Sequence, residues 1–493
     1  MPPSTPAGVA TSTPNRVFPA SAAWMAVPLL VLAITLVVWV VAVSKSGFFA
    51  DDYFNLVRYG PSFGDLANTT INQGRYTINA FWHLGQLAFG DGSVIPFLVS
   101  DALVFACGLL AWLSAWSGNQ WSRTEAWLVA GLLLAPGIAL PIVLWSSNIV
   151  HAAAFFGVGL ASLANKRSLA TCNATASVLW LLAGALGWLL AVVSDPLYIG
   201  SICIAGFCAY SQFKHLRHLG VEARPCLLLV AGANVVVPVA YFLFVALPST
   251  TSAAPYSHVG LRFLRTNLSF YHAQLAASNW VAAAYVFIIL AAIAFSVIAA
   301  LRGGFFPASV TAAGWLSASI ALLQGQQRSI HYMCFALLCL VSAAVAGAES
   351  LRVALSPKMV HRAAAGWYAI LLIISLVLLR SGLPVRSYFL TEPYGSDLIN
   401  VRAEVASLVP TGTDVCIDLD LSPAERARFT AEIAQIYGFE VPPVSAGSVL
   451  LSPGLSCRPR PGSFAVVIKL APGGEFVATA PAAATGPKRL TSR

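Results

Sequence analysis

The chain has 493 residues, of which 58% are hydrophobic and only 10% charged, well under the ~25% charged usage of a soluble domain. That composition excludes a water-soluble globular enzyme. The repeated apolar runs are continuous rather than alternating, so they point to membrane-spanning α-helices and not to a barrel. The net charge of +9 is spread over short connections, with no basic cluster dense enough to neutralise a phosphate backbone, which argues against nucleic acid as a partner.

Residues 1–20 are rich in Pro, Ser, Thr and Ala with Arg16 as their charged side chain, and are expected to form a disordered cytoplasmic tail. Residues 22–44 make an apolar run too long for a signal-peptide core and without a convincing cleavage site, so they read as a retained first span. Further apolar windows fall at 94–116, 126–145, 149–164, 176–193, 196–211, 226–247, 280–301, 305–323, 330–348 and 366–382. Together they predict about eleven spans, within a membrane domain covering residues 21–383.

With the N-terminus inside, the inner connections carry Arg123, Lys166, Arg167, Lys214, Arg217, Arg224, Arg302, Arg352, Lys358 and Arg362, whereas the turns at 146–148 and 194–195 carry no Lys or Arg. Basic residues hold loops in the cytoplasm, so this asymmetry sets the orientation and an odd number of spans places the C-terminal region outside. Two outer connections, 45–93 and 248–279, are too long to be turns, and long loops carry function. Residues 384–471 read as a small extracytoplasmic α/β appendage, from an amphipathic stretch at 396–409, strand-like 414–420, helix-like 422–437 and strand-like 463–470. Residues 472–493 turn to Gly, Ala, Thr and Pro and are expected to be disordered. Of the nine cysteines, Cys416 and Cys457 alone lie in this polar region, where an oxidising compartment would permit a disulfide.

The sharpest chemical signal is FFADDYFNLVRYG at 48–60, directly after the first span. Neighbours on a helix point about 100° apart, so Asp51 and Asp52 cannot both face one small site. One carboxylate beside an apolar boundary suits a general base that deprotonates a hydroxyl, with the other orienting or binding. The plainer alternative is a solvated acidic turn capping a helix. Carboxylate oxygens also suit a divalent cation, although the spacing does not require one. Arg58 follows as a secondary site candidate or, equally, a solvated partner of the acids, and Arg75 lies in QGRYTINAFWHLGQLAFGDG at 73–92.

Later in the chain, GQQRSIHYM at 325–333 puts Arg328, His331 and Tyr332 within one helical turn. Such a group can grip a lipid phosphate, or Arg328 can reach for the interface while His331 satisfies a neighbour. Arg262 and Arg265 alternate with aromatics in HVGLRFLRTNLSFYH at 258–272, a basic interfacial anchor or a donor-binding segment. Asp195, Asp101 and His151 are ionisable residues in or beside apolar windows. They are functional candidates on that ground, with packing against polar neighbours as the alternative for Asp101 and His151. Walker, HExxH, GxSxG and dinucleotide signatures are missing from the sequence, which counts against ATP-driven transport and those hydrolase and oxidoreductase classes.

The order of span, acidic pair, aromatic, Arg, a later Gly-Arg-Tyr and a Leu-Ala-Phe-Gly entry to the second span resembles the GT-C superfamily over residues 45–115. These are integral membrane glycosyltransferases that use polyprenyl-phosphate-linked sugars, related to protein mannosyltransferases and aminoarabinose transferases. The family more often shows Asp-Glu where this chain has Asp51-Asp52. The resemblance implies that Asp51 or Asp52 activates or positions the acceptor. It also implies that cationic and polar groups, with Arg75, Arg328, His331 and Tyr332 as candidates, stabilise a departing polyprenyl phosphate. It further implies action at the outer face of a bacterial cytoplasmic membrane, with an envelope glycan, lipid or protein as acceptor and no required cofactor. A transporter or flippase of envelope precursors is the alternative, although symmetric halves and midplane charges are not evident. A non-catalytic envelope assembly protein is a third reading.

Overall fold

The computed structural model describes residues within 30–39, 76–89, 95–144, 148–216, 224–246, 260–324, 330–354, 357–391, 415–422, 464–470 and 476–479, some of these broken by gaps of one or two residues. The helices are α1 Tyr76–Phe89, α2 Ile95–Trp116, α3 Arg123–Leu134, α4 Leu140–Leu144, α5 Ile149–Ala170, α6 Ala174–Ser194, α7 Ile202–Leu216, α8 Arg224–Tyr241, α9 Leu264–Leu275, α10 Asn279–Leu301, α11 Phe306–Leu323, α12 Cys334–Ala354 and α13 Pro357–Thr391. Short 3-10 turns at Pro196–Ser201, Leu261–Phe263 and Ile330–Met333 lead into α7, α9 and α12.

Among the described residues, eight helices are long and apolar enough to cross a membrane. The chain is an all-α polytopic membrane protein with a small sheet near its C-terminus. Three expected windows are not among those eight. The first, 22–44, is described only within 30–39, where the described residues are helical. The second, 126–145, is broken: α3 stops at Leu134, and Gly137 takes φ 73° before the five-residue α4. Pro136 and Pro141 cannot donate to a helix ladder, and the positive φ at Gly137 favours glycine, so a continuous span cannot form here. The third, 196–211, starts as a 3-10 turn at Asp195-Pro196 and leaves only 15 residues to α7.

Helix starts follow the local sequence. Ser122 caps α3 in a capping box with Glu125, while Asn173 and Ser278 accept bonds from the first turns of α6 and α10. The chain alternates between two ends of the bundle. One, the basic end, carries Arg123, Lys166, Arg167, Lys214, Arg224 and Arg302. The other, the loop end, is where the connections 45–93 and 248–279 attach. Within the first of these, 76–89 is a helix and not merely a connection. Trp82 of α1 stacks on Phe97 of α2, with centroids 4.8 Å apart. The second connection contains a helix, α9, where the sequence suggests one.

The most enclosed spans are α5, with 78% of its window buried, and the span Ile330–Gly347 that includes α12, with 89%. Backbones touch where α5 crosses its neighbours. A Cβ on Gly157 would lie 2.5 Å from Gly187 O of α6, and one on Gly159 would collide with Gly108 O of α2. Small residues at such crossings let helices approach closely when no water-driven term holds them together. Trp112 Nε1 donates to Ser342 Oγ at 3.2 Å and ties α2 to α12.

In the C-terminal region, β1 Val415–Asp420 pairs in parallel with β2 Phe464–Leu470, which pairs antiparallel with β3 Phe476–Thr479. The first two strands match the expected strand-like segments. Two boundaries need correction. Helix α13 runs to Thr391, beyond the expected domain limit at 383. Strand β3 falls inside 472–493, a tail expected to be disordered on composition; Phe476 and Val477 supply the apolar and β-branched side chains that the Gly- and Ala-rich surroundings obscure.

The glycine crossings give a paired prediction. Gly157→Ala should lower thermal stability in detergent by the equivalent of about 1–3 kcal/mol through overpacking. Gly206→Ala, where an added Cβ meets nothing within 4 Å, should be neutral or slightly stabilising because alanine is the better helix former.

Candidate functional site

At the loop end, three chain reversals bring ionisable and aromatic side chains together in the apolar core. Asp195 closes α6 and opens the following 3-10 turn, its backbone extended at φ −148°. Its Oδ1 accepts from Leu197 N at 2.8 Å, and Pro196 fills the first turn position, where a missing N–H costs nothing. The other oxygen, Oδ2, lies 3.6 Å from His151 Nδ1 in the first turn of α5, longer than a hydrogen bond but close enough for a charge interaction when the ring is protonated. Tyr198 OH donates to His151 O at 3.3 Å and its ring packs 4.7 Å from Phe335.

His331 and Tyr332 enter from the 3-10 turn before α12. The His331 and His151 rings are 4.6 Å apart, Tyr332 is 5.3 Å from His151, and His331 and Tyr332 are 4.5 Å apart. Asn148 completes the group: its Nδ2 donates to Pro141 O at 3.0 Å and lies 3.4 Å from His331 Nδ1. His151 and His331 are each 2% exposed and Asp195 is fully buried. A carboxylate, two imidazoles and two phenols enclosed at the end of a membrane bundle can hold an anion or pass a proton. Burying such groups in a membrane span is unfavourable unless they partner one another.

A second arrangement fastens α9 beside this cluster. Asn267 Nδ2 donates to Leu322 O and Gln324 O, both at 2.8 Å, and Gly260 N donates to Leu323 O at 2.9 Å. These bonds satisfy carbonyls that the end of α11 leaves open. They do so immediately before the chain 325–329 that leads into the His331 turn.

Of the sequence-derived candidates, His331, Tyr332, Asp195 and His151 converge. Arg262 and Arg265 are exposed at the start of the α9 segment, with the Arg262 guanidinium 4.6 Å over the Phe263 ring. Asp101 is fully buried near the start of α2. Asp51, Asp52, Arg58, Arg75, Arg328 and Cys457 lie outside the described residues, and Cys416 is described only through its backbone pairing with Ala465. Among the described residues, no set of three or more His, Cys, Asp or Glu side chains is gathered to hold a metal ion. Sequence reasoning treated Asn148 only as a boundary and passed over Tyr198. An Asn at a helix start and a Tyr after Asp-Pro were the only signals, and both also fit ordinary turns.

The chain is similar to two solved structures. ArnT from Cupriavidus metallidurans in the apo state is 13% identical, covering 80% of this chain and 83% of that one with a TM-score of 0.43. ArnT from the same organism bound to undecaprenyl phosphate is 11% identical, covering 95% and 100% with a TM-score of 0.46. No protein-family model matches the chain, and no curated protein sequence does.

The two roles of Asp195 separate in a stability measurement. Asp195→Asn keeps an acceptor for Leu197 N and should unfold near the wild-type temperature. Asp195→Ala, which removes the cap, should lose about 0.5–2 kcal/mol, read as a lower melting temperature in detergent.

Proposed function

We propose that the chain is an integral membrane glycosyltransferase of the GT-C type, moving a sugar from a polyprenyl-phosphate carrier to an envelope glycan, lipid or protein. The supporting observation is the buried His151, Asp195, His331 and Tyr332 cluster at the end of the bundle where both long connections attach. The basic end faces the cytoplasm in this reading and the loop end faces outward. Nucleotide sugars are lacking outside, so a lipid-delivered donor is the chemically sensible supply.

In the reaction, an acceptor hydroxyl oxygen bonds to the anomeric carbon while the bond from that carbon to the phosphate oxygen breaks. The hydroxyl proton passes to Asp51 or Asp52, and the bonding pair leaves with the polyprenyl phosphate. Growing charge on that phosphate calls for hydrogen-bond donors and cations aimed at it. His331 and Tyr332 fill that role together with Arg328, which is three residues from His331 and so within roughly 11 Å of it along even a fully extended chain. Arg75 supplies a further cation from the first connection.

Replacing Asp51 and Asp52 by Asn, singly and together, tests the reading through transfer of radiolabelled sugar from polyprenyl-phosphate donors in membranes. The double variant should lose about 10²–10⁴-fold in rate. Undiminished product would remove the enzyme reading, and substrate accumulation without a new glycosidic bond would favour a transporter.

A further inference from the structure

Asn148 occupies the N-cap position of α5, where Asn is favoured because its side chain can accept from the first-turn amides. Here the side chain makes no capping bond. It turns instead to two groups outside its own helix, Pro141 O and His331 Nδ1. Chemistry then fixes both orientations. A proline carbonyl can only accept, so the Asn148 atom 3.0 Å from Pro141 O must be the amide NH2. The same nitrogen faces His331 Nδ1 at 3.4 Å and has a second hydrogen to offer. For that contact to be a hydrogen bond Nδ1 must accept, and in a neutral ring the proton then sits on Nε2.

We infer that Asn148 is a positioning residue that holds His331 as the Nε2–H tautomer, presenting a neutral hydrogen-bond donor to the departing phosphate. The phosphate part of the inference rests on the glycosyltransferase reading; the tautomer does not. Asn148 and His331 come from helix starts 183 residues apart in sequence. The contact therefore also fixes the His331 turn against the start of α5, next to His151, whose ring lies 4.6 Å from that of His331.

The test is the ring ¹⁵N spectrum of histidine-labelled full-length protein in lipid nanodiscs, with the His331 signals identified by their loss in His331→Gln. Wild-type protein should show an unprotonated Nδ1 and a protonated Nε2; the opposite tautomer overturns the inference whatever the Asn148 variants do. Asn148→Leu should give a mixed tautomer and lower kcat/KM for the polyprenyl-phosphate donor by about 10–100-fold. Asn148→Ala, which removes the amide without adding bulk, replaces it with the same expected outcomes should the leucine variant fail to fold. Adding Asn148→Leu to His331→Gln should cost no further activity, because Asn148 acts through the ring. Fully multiplicative losses would mean that Asn148 merely braces α4 against α5, and would overturn the inference. Should Asp51 and Asp52 prove dispensable for transfer, the reaction fails while the tautomer measurement still stands or falls alone.

Discussion

The approach of α5 to α6 without intervening side chains is the constraint on which the rest of the molecule depends. Gly157 and Gly187 place backbone against backbone, and in two antiparallel helices that single crossing fixes every pair of residues above it. His151 lies about 9 Å along the axis from the crossing and Asp195 about 12 Å, at 1.5 Å per residue. The separation of the imidazole from the carboxylate is therefore set by two missing side chains in the membrane interior. The neighbouring crossing of α5 with α2, at Gly159 and Gly108, makes α5 the shared wall of both contacts.

Polar side chains at the two ends of the bundle do different things. Toward the basic end they form paired staples: Ser168 with Ser177 at 2.6 Å, Gln212 with Asn165 at 2.9 Å, and Glu125 held by Tyr368 at 2.6 Å as well as by its capping box. Most of these are hydroxyls and amides, which cannot change charge, and the carboxylate among them is enclosed by its own hydrogen bonds. At the loop end Asp195 keeps a 2.8 Å bond to Leu197 N through one oxygen, while its other oxygen stands 3.6 Å from His151. Short, matched bonds hold a bundle together, whereas looser contacts between ionisable groups leave room for a proton or an anion to be accommodated.

The spans were legible in the sequence because lipid imposes a length and an apolarity that little else imitates. What failed to be legible were interruptions and long-range partners. Pro136, Gly137 and Pro141 break the 126–145 window, yet hydropathy averages over such residues and hides them. Asp195-Pro196 was visible as a turn, and its acid was visible as a candidate. That His151 would face it depends on how α5 and α6 cross, which no local pattern encodes. Asn148 is the plainest case: cap propensity describes a residue's own backbone, and its partner belongs to another helix start far along the chain. The strand at 476–479 was missed because four residues carry too little pattern to outweigh a Gly- and Ala-rich neighbourhood.

Asn267 has a consequence for where the α9 segment can lie. One amide nitrogen serves two carbonyls at the end of α11, so lifting α9 would strip both acceptors at once in a setting that offers few replacements. Asn267 thus ties α9 to the end of α11. That anchor lies just before the chain that enters the His331 turn, so the position of α9 and the position of the cluster are set together.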